Sequence, residues 1–302
     1  MDFLEILRNI IQDGIELGLI WSLMTLGIFI SFRVLDFADL TVEGTVTLGA
    51  GIAISMLNNG AHPLVATLVA LLGGFAAGIF TGILHAKLRI PAILAGIITM
   101  TGLYTINLRV MGSAFIGTDR DTLYAFFGGF IDNPFLSKAI TALLVVVIFF
   151  FLLYWFFGTE IGMSIRATGM NQKMARAQGI NTHVMIILGL ALANALVAVS
   201  GALSAQSMRG ANMDIGRGSI VIGLASIIIG ELIFGKRTFK NWLISVILGS
   251  IIYQCLVAVA IALDMNPNDL KLLQAILIAF ILSLPLLRKT KLFRKKEVTS
   301  NA

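Results

Sequence analysis

The 302-residue chain is 58% hydrophobic and only 13% charged, with a mean hydropathy of +0.94. No water-soluble core of this size hides so much apolar surface, so a soluble enzyme or nucleic-acid-binding domain is excluded and a polytopic membrane protein is expected. The net charge of +6 and the pI of 9.6 then belong to membrane flanks facing anionic headgroups, because no basic face interleaved with aromatic platforms occurs.

Residues 1–13 set Asp2, Glu5, Arg8 and Asp13 at helical spacing among Phe3, Leu4, Ile6, Leu7, Ile10 and Ile11. That pattern predicts an amphipathic interfacial helix and not a cleavable signal peptide. Apolar runs of about the 20 residues needed to cross a bilayer follow. They lie near 14–32, 40–57, 63–84, 91–110, 137–157, 184–208, 218–234, 241–263 and 268–287. The expectation is an all-α polytopic membrane protein of about nine transmembrane helices, one transmembrane domain over 14–287, with a basic tail at 288–302. The second and seventh runs are short and interrupted by glycine. The one cysteine, Cys255, lies inside an apolar run and reads as a small buried hydrophobe. His62, His85 and His183 fall at membrane edges without metal-ligand spacing.

Lysine and arginine set the orientation. Arg33, Lys87, Arg89, the stretch from Arg166 to Arg176, Lys236 to Lys240 and the tail fall on one side of nine alternating spans. Arg8, Arg109, Arg120, Lys138, Arg209, Arg217 and Lys271 fall on the other. The richer side is expected to be cytoplasmic, which puts the amino terminus outside and the carboxyl tail inside.

The first span runs into Arg33-Val34-Leu35-Asp36-Phe37-Ala38-Asp39 and Gly44, and the sixth runs into Arg209-Gly210-Ala211-Asn212-Met213-Asp214, Gly216 and Gly218. Five spans separate the two places, so the halves, about 14–110 and 184–287, point opposite ways through the bilayer as in an inverted repeat. Two broken helices would then meet near the midplane, where irregular backbone is tolerated only against protein or a cavity. Asp36, Asp39 and Glu43 beside Arg33, and Arg209, Asn212 and Asp214 beside Arg217, are candidates to gate or guide a polar solute. Pairing among themselves or capping the broken helices remains the alternative. Asn107, Asn194 and Gln206 lie within spans and suit cross-helix hydrogen bonds or a lining role. Glu231 is expected either to form an ion pair with the nearby Lys236 and Arg237 or to snorkel toward the interface. Small residues such as Gly73, Gly74, Gly78 and Gly82 predict close helix packing.

Between the fifth and sixth spans lies a polar, basic island, Arg166-Ala167-Thr168-Gly169-Met170-Asn171-Gln172-Lys173-Met174-Ala175-Arg176-Ala177-Gln178-Gly179-Ile180-Asn181. It reads as two short helices, 164–168 and 171–178, separated by Gly169, with Asn171 as a cap and Gly179 as a stop. This run resembles the cytoplasmic coupling loop of ABC importer permeases in the branched-chain amino acid and ribose family, with Ala167, Gly169, Asn171, Ala175 and Gly179-Ile180 at the matching positions. The helix after it, with Ala-Val-Ser-Gly-Ala-Leu at 198–203, and the opening segment from Gly18 to Gly51 are similar too. Within the family the chain looks most like tryptophan- or tyrosine-type permeases. It departs from the branched-chain permeases at Asp36-Phe37-Ala38-Asp39, where they carry an Asn-Phe-Ala-His-like run.

The resemblance implies a multi-pass permease subunit of a bacterial inner membrane that imports a small polar solute, most readily an amino acid, by alternating access. It implies a second permease copy, cytoplasmic ATPase subunits and an extracytoplasmic substrate-binding protein as partners. Arg166, Ala167, Thr168, Gly169, Met170, Asn171, Gln172, Ala175, Gly179 and Ile180, within a coupling loop at 158–183, would meet the ATPase. ATP and Mg would be used by that partner, with no cofactor bound by this chain. The sequence holds no Gly-x-x-x-x-Gly-Lys-Ser/Thr loop, no His-Glu-x-x-His and no Gly-x-Ser-x-Gly. The rival readings are a secondary transporter or channel, and an ABC permease for a sugar or nucleoside.

Overall fold

Away from water every backbone N–H and C=O must be satisfied within its own segment, so the apolar runs become helices. The computed structural model describes residues 3–125 and 134–262 and two isolated positions, 276 and 279. The expected ninth span and the basic tail lie outside the described residues.

In chain order the elements begin with α1 (Phe3–Phe29), which passes into one π-helical turn (Ile30–Val34). Then come α2 (Thr41–Asn58), α3 (Pro63–Ala86), α4 (Ala92–Met111), β1 (Phe115–Gly117) and α5 (Pro134–Gly158). After them stand α6 (Glu160–Met170), α7 (Gln172–Ala177), α8 (Thr182–Met208), β2 (Gly210–Asn212), α9 (Ser219–Phe234) and α10 (Phe239–Ala262). Helix α1 runs unbroken through most of the segment read as interfacial. Local chemistry sets several ends. His62 Nδ1 accepts the Leu64 N–H at 3.3 Å ahead of Pro63, and Gly112 closes α4 with φ of 74°.

Among the described residues six helical segments are long and apolar enough to cross a membrane: Gln12–Val34, Pro63–Ala86, Ala92–Met111, Phe135–Gly158, Thr182–Met208 and Phe239–Ile261. The two runs marked as short in the sequence are short here. Helix α2 has 18 residues and α9 has 16, lengths of roughly 27 and 24 Å against a hydrocarbon core of about 30 Å.

The first and eighth helices form the centre. Their span windows are 78% and 72% buried, against 33%, 28% and 28% for α3, α4 and α5. Helix α8 packs on α1, α2 and α3, while α1 also packs on α10, which in turn packs on α9. Lipid supplies little hydrophobic drive between helices, so close backbone approach replaces it. A Cβ at Gly78 would overlap the Leu190 carbonyl and stand 2.7 Å from Ala191 Cα, which is how closely α3 lies on α8. Outward faces carry Leu68, Leu72 and Phe80 of α3, Ile93 and Leu94 of α4, and Phe151 and Trp155 of α5, as lipid-facing helices do.

One departure from a purely helical expectation joins the loops after α4 and α8. Strands β1 and β2 pair antiparallel with Phe115 opposite Asn212 and Gly117 opposite Gly210. Both helices end on the same face, and their exit loops satisfy each other's backbone groups there.

Candidate functional site at the helix break

Where α1 ends, the chain must turn back toward α2. Leu35 N–H reaches Ile30 O at 3.0 Å and Phe37 N–H reaches Ser31 O at 2.9 Å, while exposed Asp36 takes a left-handed φ of 53°. Asp39 is fully buried. Its Oδ1 accepts the Thr41 N–H at 2.9 Å, and its Oδ2 accepts from Asn194 Nδ2 of α8 at 2.7 Å. Thr45 donates to Asn194 Oδ1 at 2.8 Å, which completes the network. A side-chain acceptor at this place satisfies an orphan donor of α2, the Thr41 N–H, and lies at the positive end of its dipole. Nearby, the Thr41, Thr81 and Thr99 hydroxyls chain together at 2.8 and 2.9 Å and bind α2 to α3 and α4.

The lead-in to α9 is irregular as well. Asn212 Oδ1 accepts the Asp214 N–H at 3.1 Å, and exposed Asp214 and Arg217 pair at 3.1 Å. Gly218, with φ of 78°, then turns the chain into α9. Its N–H donates to Glu43 Oε1 at 3.0 Å. Gly216 lies on the backbone of Glu43, whose carbonyl carbon would stand 2.9 Å from an added Cβ, so only glycine fits. The first turn of α2 and the start of α9 therefore touch.

Beside this contact is a cavity of about 290 Å³ lined by Glu43, Gly44, Thr47, Tyr104, Asn107 and Arg217, with Met100, Thr101 and Met213 completing the wall. Asn107 donates to Gly44 O at 3.0 Å, and its Oδ1 is buried with no partner among the described residues. Of the pathway candidates, then, Glu43 and Asn107 come together. Asp36, Asp39, Arg209, Asn212 and Asp214 lie outside this wall. Arg209 caps α8 with φ of 54°, and its carbonyl accepts the Thr118 N–H at 3.0 Å. Asn194 and Gln206 serve as cross-helix bonding groups. Gln206 joins Leu123 N–H and Thr67 Oγ1, both at 2.9 Å. Thr101, Tyr104 and the methionines were missed by the sequence reading, although Thr101, Tyr104 and Asn107 recur every three residues on α4.

The polar island folds into α6 and α7, with one correction. The first helix is not confined to 164–168, and Gly169 is not a break. Thr159 accepts the Gly162 N–H at 3.3 Å and starts the helix early, and the helix continues through Gly169 to Met170. The reason is packing: a Cβ on Gly169 would overlap the Val34 carbonyl and stand 2.8 Å from Leu35 Cα. The separator is extended Asn171, whose Oδ1 accepts the N–H groups of Lys173 and Met174 at 3.0 and 3.1 Å. Gly179, with φ of 81°, follows α7 as a stop. Ile165, Thr168 and Ala175 are buried, Ala167 and Ile180 are half-buried, and Arg166 and Gln172 are exposed. Arg166 stacks over Phe239 at 4.7 Å. Met170 and Met174 are 89% and 62% exposed, an adaptable apolar surface on an otherwise polar loop.

A family model described as branched-chain amino acid transport system / permease component matches residues 10–282. The chain belongs to this permease family. A tyrosine transport system permease protein of Clostridioides difficile (strain R20291) is 42% identical over 291 residues, covering 93% of this chain and 96% of the relative. A ribose import permease protein of Escherichia coli (strain K12) is 27% identical over 217 residues, covering 70% of this chain and 66% of the relative. No solved structure matches the chain.

The permease also carries an ion pair near α6. Arg33, expected next to Asp36 and Asp39, instead bonds Glu231 of α9 at 2.8 Å. Glu231 does not pair with Lys236 or Arg237, because its other oxygen accepts from Trp242 Nε1 at 2.9 Å, and Lys236 lies over the Trp242 ring at 5.9 Å. The ends of α1, α9 and α10 are joined by this one carboxylate.

Proposed function

We propose that the chain is the transmembrane subunit of an ATP-driven importer of a small polar solute, an amino acid, with the ATPase docked on α6 and α7. The observation that carries this reading is the seat of Gly169 on Val34 and Leu35. A displacement of α6 acts directly on the turn between α1 and α2, and from there on Asp39, Glu43 and the cavity wall. Met170 and Met174 supply the outer contact, and the buried residues Ile165, Thr168 and Ala175 supply the inner one. In this reading α2 and α9 are the broken spans of an inverted repeat in a nine-span chain. The coupling helices and the carboxyl terminus face the cytoplasm, while the amino terminus and the β1–β2 pair face outside. A second copy of the permease completes the translocation path, an extracytoplasmic binding protein delivers the solute, and ATP and Mg are consumed by the partner. The membrane is a bacterial inner membrane.

The tyrosine-transport relative, which the chain covers almost end to end, supports an amino acid over the sugar carried by the ribose relative. Reconstitution tests both. Proteoliposomes holding the permease, the ATPase and the binding protein should take up labelled L-tyrosine only with ATP. Uptake of ribose in place of every amino acid tested would refute the substrate assignment, and ATP-independent uptake would favour a secondary transporter. Gly169→Asp together with Ala175→Asp should abolish both uptake and co-purification with the ATPase.

A further inference from the structure

The cavity beside Glu43 has an uneven chemistry. Thr47 donates its hydroxyl hydrogen to Glu43 O at 3.3 Å and Thr101 donates to Ile97 O at 2.8 Å, so both oxygens are left only as acceptors. Asn107 directs an amide N–H to Gly44 O and leaves its buried Oδ1 without a donor. Glu43 receives one backbone N–H and forms no ion pair among the described residues. A charged carboxylate at the junction of two short spans is costly unless something answers it. The wall thus offers acceptors and negative charge. Exposed Arg217, paired with Asp214 at 3.1 Å, also lines the cavity, and Met100, Met213 and the Tyr104 ring add apolar surface.

We propose that this cavity binds a free α-amino acid, with the ammonium between Glu43 and Asn107, the carboxylate toward Arg217 and the side chain against Met100, Met213 and Tyr104. The assignment rests on the amino-acid importer reading above and names the substrate contacts within it. An ammonium brings three donors and a positive charge, which is what the orphaned Asn107 oxygen and the Glu43 carboxylate lack. A sugar hydroxyl brings no positive charge to answer the Glu43 carboxylate. A hard divalent cation takes six or more oxygen ligands, which a wall with two methionines and one carboxylate does not provide. The volume of about 290 Å³ suits one small metabolite, at the lower end of the roughly 300–1,000 Å³ of ligand pockets.

The test reads occupancy directly. In a Cys255→Ala background, Met213→Cys is placed in the permease–ATPase complex in nanodiscs and its rate of maleimide labelling is followed. L-Tyrosine and tyramine should slow the labelling. D-Ribose and 3-(4-hydroxyphenyl)propionate, which lacks the ammonium, should not. Glu43→Gln keeps the acceptor for Gly218 but removes the charge, and should raise the L-tyrosine concentration for half-protection by about tenfold. If that variant does not assemble, Asn107→Ser is measured instead and should shift in the same direction. Equal protection by D-ribose, or a half-protection concentration unchanged by the substitution, overturns the assignment. Uptake of L-tyrosine by the wild-type complex separates the two levels of the argument. Uptake without protection overturns this site alone, and no uptake of any amino acid overturns the importer reading beneath it.

Discussion

Replacing Gly169 by alanine should uncouple the permease without detaching its ATPase. The added Cβ would overlap the Val34 carbonyl and stand 2.8 Å from both that carbonyl carbon and Leu35 Cα, all backbone atoms that cannot rotate away. Carbon–carbon contacts settle at about 3.5–4.0 Å, so α6 must retreat by about 1 Å from the turn between α1 and α2. Alanine gains about 0.5–1 kcal/mol of helix propensity over glycine, whereas overpacking costs about 1–3 kcal/mol, so the net is a destabilisation of about 1 kcal/mol, too small to unfold the protein. The exposed Met170 and Met174 are untouched, so the ATPase should still co-purify. The assay is the ratio of ATP hydrolysed to L-tyrosine imported in proteoliposomes, which should rise severalfold. Gly102→Ala, on the exposed face of α4, is the control. No neighbour among the described residues lies within 4 Å of its Cβ and its φ is ordinary, so the substitution meets nothing. Its ratio should stay near wild type. Wild-type coupling in Gly169→Ala would refute the claim that motion passes through this contact.

Asp39→Ala strips a buried acceptor from the Thr41 N–H and from Asn194 Nδ2, and should cost on the order of 3 kcal/mol, seen as a clear fall in thermal stability. A variant as stable as wild type would mean that the break is held otherwise. Glu231→Ala deprives Arg33 and Trp242 together, but Arg33 is 38% exposed and screened by water, so the loss should be only about 1 kcal/mol by thermal unfolding. A drop as large as that of Asp39→Ala would contradict this ranking. Met170→Asp with Met174→Asp should leave stability within about 0.5 kcal/mol of wild type and abolish ATPase co-purification. Retained co-purification would move the docking surface elsewhere.

Local features of the chain were legible because their causes are local. Asn171 caps α7 and Gly179 ends it, as side-chain oxygens and left-handed glycines do in any sequence, and the short runs at α2 and α9 are short in space. What escaped depends on distant partners. Gly169 looks like a helix break until Val34 and Leu35 are brought against it, and then it is the one residue thin enough to continue the helix there. Arg33 looks committed to Asp36 and Asp39 until α9 delivers Glu231 to the end of α1. Glu43 and Asn107 carry no signal of adjacency to Arg217, because α2, α4 and the lead-in to α9 converge only through the packing of α2 on its neighbours. The strand pair was hidden for the same reason, since two three-residue loops have no alternation long enough to read.

The central claim is that α6 and α7 receive the motor while the opposite end of the bundle receives the solute. Photo-crosslinking tests it most directly, with a benzophenone amino acid placed at Met174 on α7 or at Phe115 on β1, which are 62% and 64% exposed. In the assembled transporter the account predicts an ATPase adduct from position 174 and a binding-protein adduct from position 115. An ATPase adduct from position 115, or none from position 174 in a complex that still imports, would contradict it.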